Sequence, residues 1–191
     1  MLSEPFRELT RAMARVQRIV WCGFSGAILI YVGVIYMEFG IFAAGSRAQR
    51  SNPLFVPLAV LAVVNAIASL WITDVLLPKR RLRAILDRQP DPEALARVYP
   101  GAPLDPERLA RIKSLPLDEQ RLLALVPAVY IAFIVRLAFG NAIALYGLVL
   151  SQFSRSLVPM LPFAIVALVF NLRVSPDLES RLERAVARAA K

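Results

Sequence analysis

The chain reads as an all-α integral membrane protein of four transmembrane helices, arranged as two hairpins with short cytoplasmic helices between the second and third spans. Three observations predict this. Apolar residues make up 58% of the 191 residues, which takes the chain out of the soluble class. Four runs of near-helical length carry almost no charge: 19–37, 54–77, 134–152 and 157–172. Finally, Lys and Arg crowd one side of these runs, with four before the first, ten in the central segment and five in the tail, against two and one in the short loops. The positive-inside rule then places both termini and the central segment in the cytoplasm of a bacterial inner membrane.

The first 18 residues put Phe6, Leu9, Met13 and Val16 at helical spacing beside a basic row of Arg7, Arg11, Arg15 and Arg18. They form an amphipathic lead-in, which either lies on an anionic leaflet or stands as a solvated helix end before running into the first span. Residues 19–37 are long enough to cross a hydrocarbon core, which takes ~20 residues at ~1.5 Å each. The run also exceeds the apolar region of a cleavable signal peptide, so it is expected to stay as an anchor. Gly26, Gly33 and Gly40 recur every seven residues, a stripe along which a neighbouring backbone could approach. Residues 38–53, with Gly45, Ser46, Arg47, Arg50, Ser51 and Asn52, have the composition of a loop.

The second span, 54–77, carries Asn65 near its centre and Asp74 near its end. Asn65 facing lipid would be costly, so it should find a partner on another helix or on backbone. A basic cluster of Lys79, Arg80, Arg81 and Arg83 follows and is suited to anionic lipid headgroups, at about 1 kcal/mol per charge near the surface. The connector, 78–121, holds two similar segments starting Asp91-Pro92-Glu93 and Asp105-Pro106-Glu107, each with an N-cap, a first-turn proline and an acidic first turn. Both predict short surface helices, and Pro100, Gly101 and Pro103 separate them. Residues 122–133 are read as an interfacial lead-in interrupted by Pro127, ahead of a third span over 134–152. The fourth span, 157–172, has Pro159 and Pro162 in its first turns, and the tail from 173 alternates Arg and Glu as a solvated amphipathic helix does.

A shift of 115 residues lays Ile19, Val20, Phe24, Ala27, Ile28, Tyr31 and Val34 on Ile134, Val135, Phe139, Ala142, Ile143, Tyr146 and Val149, all identities. A shift of 102 lays Val56-Pro57 on Val158-Pro159. The two hairpins thus read as parallel copies about an axis along the membrane normal.

Within the third span, residues 137–150 read LAFGNAIALYGLVL. This stretch resembles the ion-carrying helix of rotary ATP synthase c-subunits and related proteolipids. The resemblance implies an ion-binding carboxylate where this chain has Asn141, and Gly26 stands at the first-copy equivalent. Asparagine cannot take up and release a proton, so that chemistry is not expected. As a whole the chain is similar to small four-span bacterial inner-membrane proteins.

Histidine is absent, and the single cysteine, Cys22, lies in an apolar run. The commonest general base, the commonest transition-metal ligand and any disulfide framework are therefore missing, so no catalytic site, cofactor or metal is expected. The basic excess belongs to the inner face of a membrane, which argues against nucleic acid as a partner. The polar residues of interest are the intramembrane ones: Arg136, Asp74, Asn65 and Asn141. Arg136, Gly140, Ala144 and Gly147 share an arc of roughly 80° on a helix. Two readings of Arg136 stand, pairing with Asp74 or snorkelling to headgroups, while Asn141 points away from that arc. The sequence favours a non-catalytic scaffold, assembly or interaction component in contact with anionic lipid, as a homo-oligomer or with a membrane-protein partner. A small transporter or proteolipid-like oligomer is the alternative.

Overall fold

In the computed structural model, residues 2–41, 53–97, 105–174 and 176–190 are described, and among them the chain is helical with no strand. The predicted loop residues 45–52 and the spacer Pro100, Gly101 and Pro103 lie outside the described residues. Eight helices follow in order: α1 (Glu4–Phe39), α2 (Phe55–Leu76), α3 (Lys79–Asp87), α4 (Pro92–Ala96), α5 (Pro106–Lys113), α6 (Leu117–Ser154), α7 (Met160–Arg173) and α8 (Leu178–Ala190). Three stretches, Glu4–Phe39, Phe55–Asp87 and Leu117–Ser154, are long and apolar enough to cross a membrane, and α7 with α8 makes a fourth if the pair is taken as one bent span. On its own α7 has 14 residues, about 21 Å, against a hydrocarbon core of about 30 Å.

The chain divides into two compact units. The first gathers Met1–Arg18, Asp74–Ala132 and Pro176–Lys191, and the second gathers Ile19–Thr73 and Phe133–Ser175. In the first unit Phe6, Leu82, Ala96, Ile112, Leu125 and Leu182 close one apolar core, so α1, α3, α4, α5, α6 and α8 each contribute to it. Asp91 accepts from the Glu93 amide, and Asp105 accepts from the amides of Glu107 and Arg108, capping α4 and α5 ahead of their first-turn prolines. The basic cluster that opens the connector lies on α3, whose Leu82 is fully buried.

Two expectations are corrected here. The lead-in does not offer its apolar row to a leaflet: Phe6 is in the core, Leu9 and Met13 pack against it, and only Val16 is exposed. Nor does Pro127 interrupt the helix. α6 runs through it unbroken for 38 residues. Proline removes one amide donor, that which would serve the Leu123 carbonyl. Around it Leu123, Leu125, Val126 and Val129 are buried, and their burial offsets the lost bond.

In the second unit, α1 and α6 run parallel and in register. Gln152 donates to Glu38 at 3.1 Å and Ser156 to the Ile41 carbonyl at 3.3 Å, separations of 114 and 115 residues. This offset is that of the sequence repeat. Both helices also end at equivalent places, Phe39 and Ser154, each followed by a left-handed residue, Gly40 with φ 69° and Arg155 with φ 49°. At the second of these the Ser156 amide bonds back to the Ser151 carbonyl, the six-to-one closure of a Schellman cap.

Candidate functional site

No group of three or more His, Cys, Asp or Glu side chains that could hold a metal occurs among the described residues. The features that carry specificity are the polar and small residues of the second unit. They fall on three faces of α6.

On the first face, Gly140, Ala144 and Gly147 meet α7. A Cβ at position 140 would come within 2.6 Å of Asn171 Oδ1, and one at 147 within 2.7 Å of Phe163 Cβ and 3.3 Å of the Met160 backbone. Ala144 between them is fully buried. The small-residue arc read from the sequence is thus a helix-packing face, with α7 as its occupant. The glycine stripe of α1 behaves differently. Cβ atoms at Gly26 and Gly33 would meet nothing within 4 Å, so no helix among the described residues closes on it. Close approach needs a partner surface as well as a missing side chain, and α7 supplies one to α6 alone.

Asn171 itself was not singled out from the sequence, although an amide side chain within an apolar helix is the signal that marked Asn65. It is fully buried, its amide nitrogen and oxygen take no hydrogen bond among the described residues, and its backbone carbonyl accepts from Trp21 Nε1 at 2.8 Å. The side-chain oxygen fills the space that glycine leaves at 140.

On the second face, Asn65 of α2 donates through Nδ2 to the Tyr146 hydroxyl of α6 at 2.6 Å, so a costly amide in a span is held across helices. Ile143 of α6 is also buried beside α2 and α7, where Phe55 and Phe163 stack edge to face with ring centres 6.4 Å apart.

The third face bears Asn141. It is 8% exposed, and its Nδ2 donates to the Leu137 carbonyl one turn back at 3.2 Å. It lines a trough of about 570 Å³ between α1 and α6, walled by Gly23 and Ala27 on one side and Ala138 and Ala142 on the other. These wall positions are again 115 residues apart.

The remaining predicted residues lie elsewhere. Asp74 belongs to the first unit and forms an ion pair there with Arg188 of α8, whereas Arg136 belongs to the second unit. Arg136 is half-buried on the α7-facing side of α6. Of the basic cluster, Arg81 donates to the Leu76 carbonyl at 3.3 Å and Arg83 to the Ala189 carbonyl at 2.6 Å. Lys79 and Arg80 are exposed.

Just ahead of α8, Asp177 accepts from the Ser180 hydroxyl and the Glu179 amide. The Ser180 hydrogen bond first, then the amides and Arg18, hold its carboxyl below its ordinary value against a smaller opposing effect of burial. Comparison of the chain with protein-family models, curated proteins and solved structures finds no match.

Proposed function

We propose that this chain is a non-catalytic, multi-pass protein of the bacterial inner membrane with both termini cytoplasmic, acting as a scaffold or interaction component. It works through helix packing in the bilayer and through a basic cytoplasmic body presented to anionic lipid and to a membrane-protein partner.

One observation carries the reading: the first unit is assembled from the N-terminus, the connector and the C-terminal helix together. Ser3 bonds Glu119 through both its amide and its hydroxyl, Arg7 pairs with Glu179 at 3.1 Å, Asp74 with Arg188, and Arg83 with the end of α8. A chain that leaves one body twice into apolar helices and returns twice crosses an even number of times. Two hairpins satisfy this, and the short α7 with its proline entry serves as the last crossing. The in-register α1 and α6, with equivalent ends and equivalent buried positions (Thr10 and Leu125, Gln17 and Ala132, Ile28 and Ile143, Ile35 and Leu150), support the duplication. The second members of the hairpins have diverged further, α2 having 22 residues and α7 having 14.

The test is crosslinking in native membranes, comparing the wild-type chain with a variant carrying Glu at Arg11, Arg15, Lys79 and Arg80, all exposed. The reading expects the variant to lose crosslinked partners or bound anionic lipid while keeping its fold. An unchanged set of partners and lipids would reject the cytoplasmic body as the interacting surface.

A further inference from the structure

The trough between α1 and α6 pairs two features that do not fit a lipid-facing surface. Its walls bring small residues, Gly23 and Ala27 opposite Ala138 and Ala142, between the larger Val20, Phe24, Tyr31 and Leu145, so that a backbone can come close along the small stripe. Its floor is Asn141, more than nine-tenths buried, whose one hydrogen bond among the described residues is made by Nδ2 to its own helix. The amide oxygen takes no donor among the described residues, and the residue lines the trough. An acyl chain has no donor to give it.

The chain carries a matching donor elsewhere. Trp71 of α2 is 68% exposed, and its indole N–H takes no hydrogen bond among the described residues. Its level in the bilayer can be placed approximately from the Asn65–Tyr146 bond, which brings those two residues together within the reach of the tyrosine side chain. α2 runs opposite to α6, so Trp71 lies six residues, about 9 Å, from that height toward the start of α6. Asn141 lies five residues, about 7.5 Å, in the same direction. The two therefore lie on the same side of that bond, within about one helical turn in depth. Copies related by an axis along the membrane normal keep every residue at its depth, so one copy's Trp71 meets its neighbour's trough at the level of the unsatisfied oxygen. Below Trp71 the outward face of α2 is an apolar ridge, Ile67 and Val60 among its members.

We propose that a second copy of this chain occupies the trough: the outward face of α2 docks between α1 and α6 of its neighbour, and the Trp71 indole donates to Asn141 Oδ1. The contact is heterologous, each copy giving a ridge and offering a trough, so repeated about an axis along the membrane normal it builds a ring. It rests on the membrane reading above and deepens it by naming the partner.

Co-expression of two full-length variants in a Cys22→Ala background, one with Ile67→Cys and one with Leu145→Cys, tests the register in native membranes. Counted from the same bond, these positions are one residue apart in depth. Oxidation is expected to give a disulfide-linked heterodimer, and Val60→Cys, six residues off in depth, is expected to give none with Leu145→Cys. Adding Asn141→Leu or Trp71→Phe should cut the 67–145 yield about three- to tenfold.

Equal yields from the 67 and 60 positions, or no effect of either anchor substitution, would overturn the proposal and leave Trp71 as an interfacial aromatic. A monomer by native mass spectrometry from native nanodiscs would do so as well. The parent reading has its own readout in the crosslinked partners of the cytoplasmic body. A monomer that keeps charge-dependent partners refutes the ring alone.

Discussion

The contrast between Gly147 and Gly33 is a sharp test of the packing account, because both glycines lie on long apolar helices, α6 and α1, that run side by side in register. In Gly147→Ala the new Cβ meets Phe163 Cβ at 2.7 Å and the Met160 backbone at 3.3 Å. Phe163 can turn only slightly and the backbone not at all, so α7 must move away from α6. Overpacking of this kind costs about 1–3 kcal/mol, and the better helix propensity of alanine returns just under about 1 kcal/mol. The net expectation is a destabilisation of about 0–2 kcal/mol, and of about 1–3 kcal/mol relative to a variant that gains the propensity without the clash. In Gly33→Ala the Cβ meets nothing within 4 Å, so only the propensity gain remains and the variant should be level with or slightly above the parent. Unfolding in mild detergent, followed by the fluorescence of Trp21 in a Trp71→Phe background, reads both, since Trp21 is bonded to the end of α7. If Gly147→Ala were as stable as Gly33→Ala, α7 would not be seated on the α6 glycine face and the packing derived above would fail.

Further outcomes follow from single contacts. A double-mutant cycle of Asn65→Leu and Tyr146→Phe should give a coupling of about 0.6 kcal/mol, up to about 1.7 kcal/mol, in the same unfolding assay; additive effects would remove the bond. Arg155→Gly should stabilise by about 1 kcal/mol, because the residue closing α6 is left-handed and a side chain there is strained. For Asp177 the sign runs as for any depressed carboxyl: its contribution to docking α8 is present above the ordinary value of 3.8 and is lost as pH falls below that through the lowered native value. Hydrogen exchange of α8 should therefore quicken below that pH in the parent and lose this step in Asp177→Asn.

Much of the fold was legible because its signals are local. α2 begins and ends within a residue of the predicted span, since Pro53 and Pro78 bracket its apolar run. Asp91 and Asp105 capped their helices as their dipeptides with proline foretell. What the letters could not carry was long-range. The cost of Pro127 in α6 is local, whereas the burial that outweighs it comes from helices far along the chain. Glycines occur at seven-residue spacing in both α1 and α6, and only the placement of Phe163 and Asn171 decides which pair is covered. Arg155 gives no sign of a left-handed cap until it is set against Gly40 in the repeat. For the candidate site, the sequence singled out Asn65 and Asn141 as polar groups in apolar helices, but Tyr146 as the partner of Asn65, the Trp21 bond to Asn171, and the trough at Asn141 needed the helix register.

The central proposal is that the long apolar helices cross a bilayer and that both termini lie on its cytoplasmic side. Labelling by a membrane-impermeant thiol reagent measures this directly in a Cys22→Ala chain carrying one new cysteine, at the exposed Ser114 of the first unit or at the exposed Arg155 closing α6. The account predicts that position 155 labels in right-side-out vesicles and position 114 only in inverted ones. Labelling of both positions from the same side would contradict it.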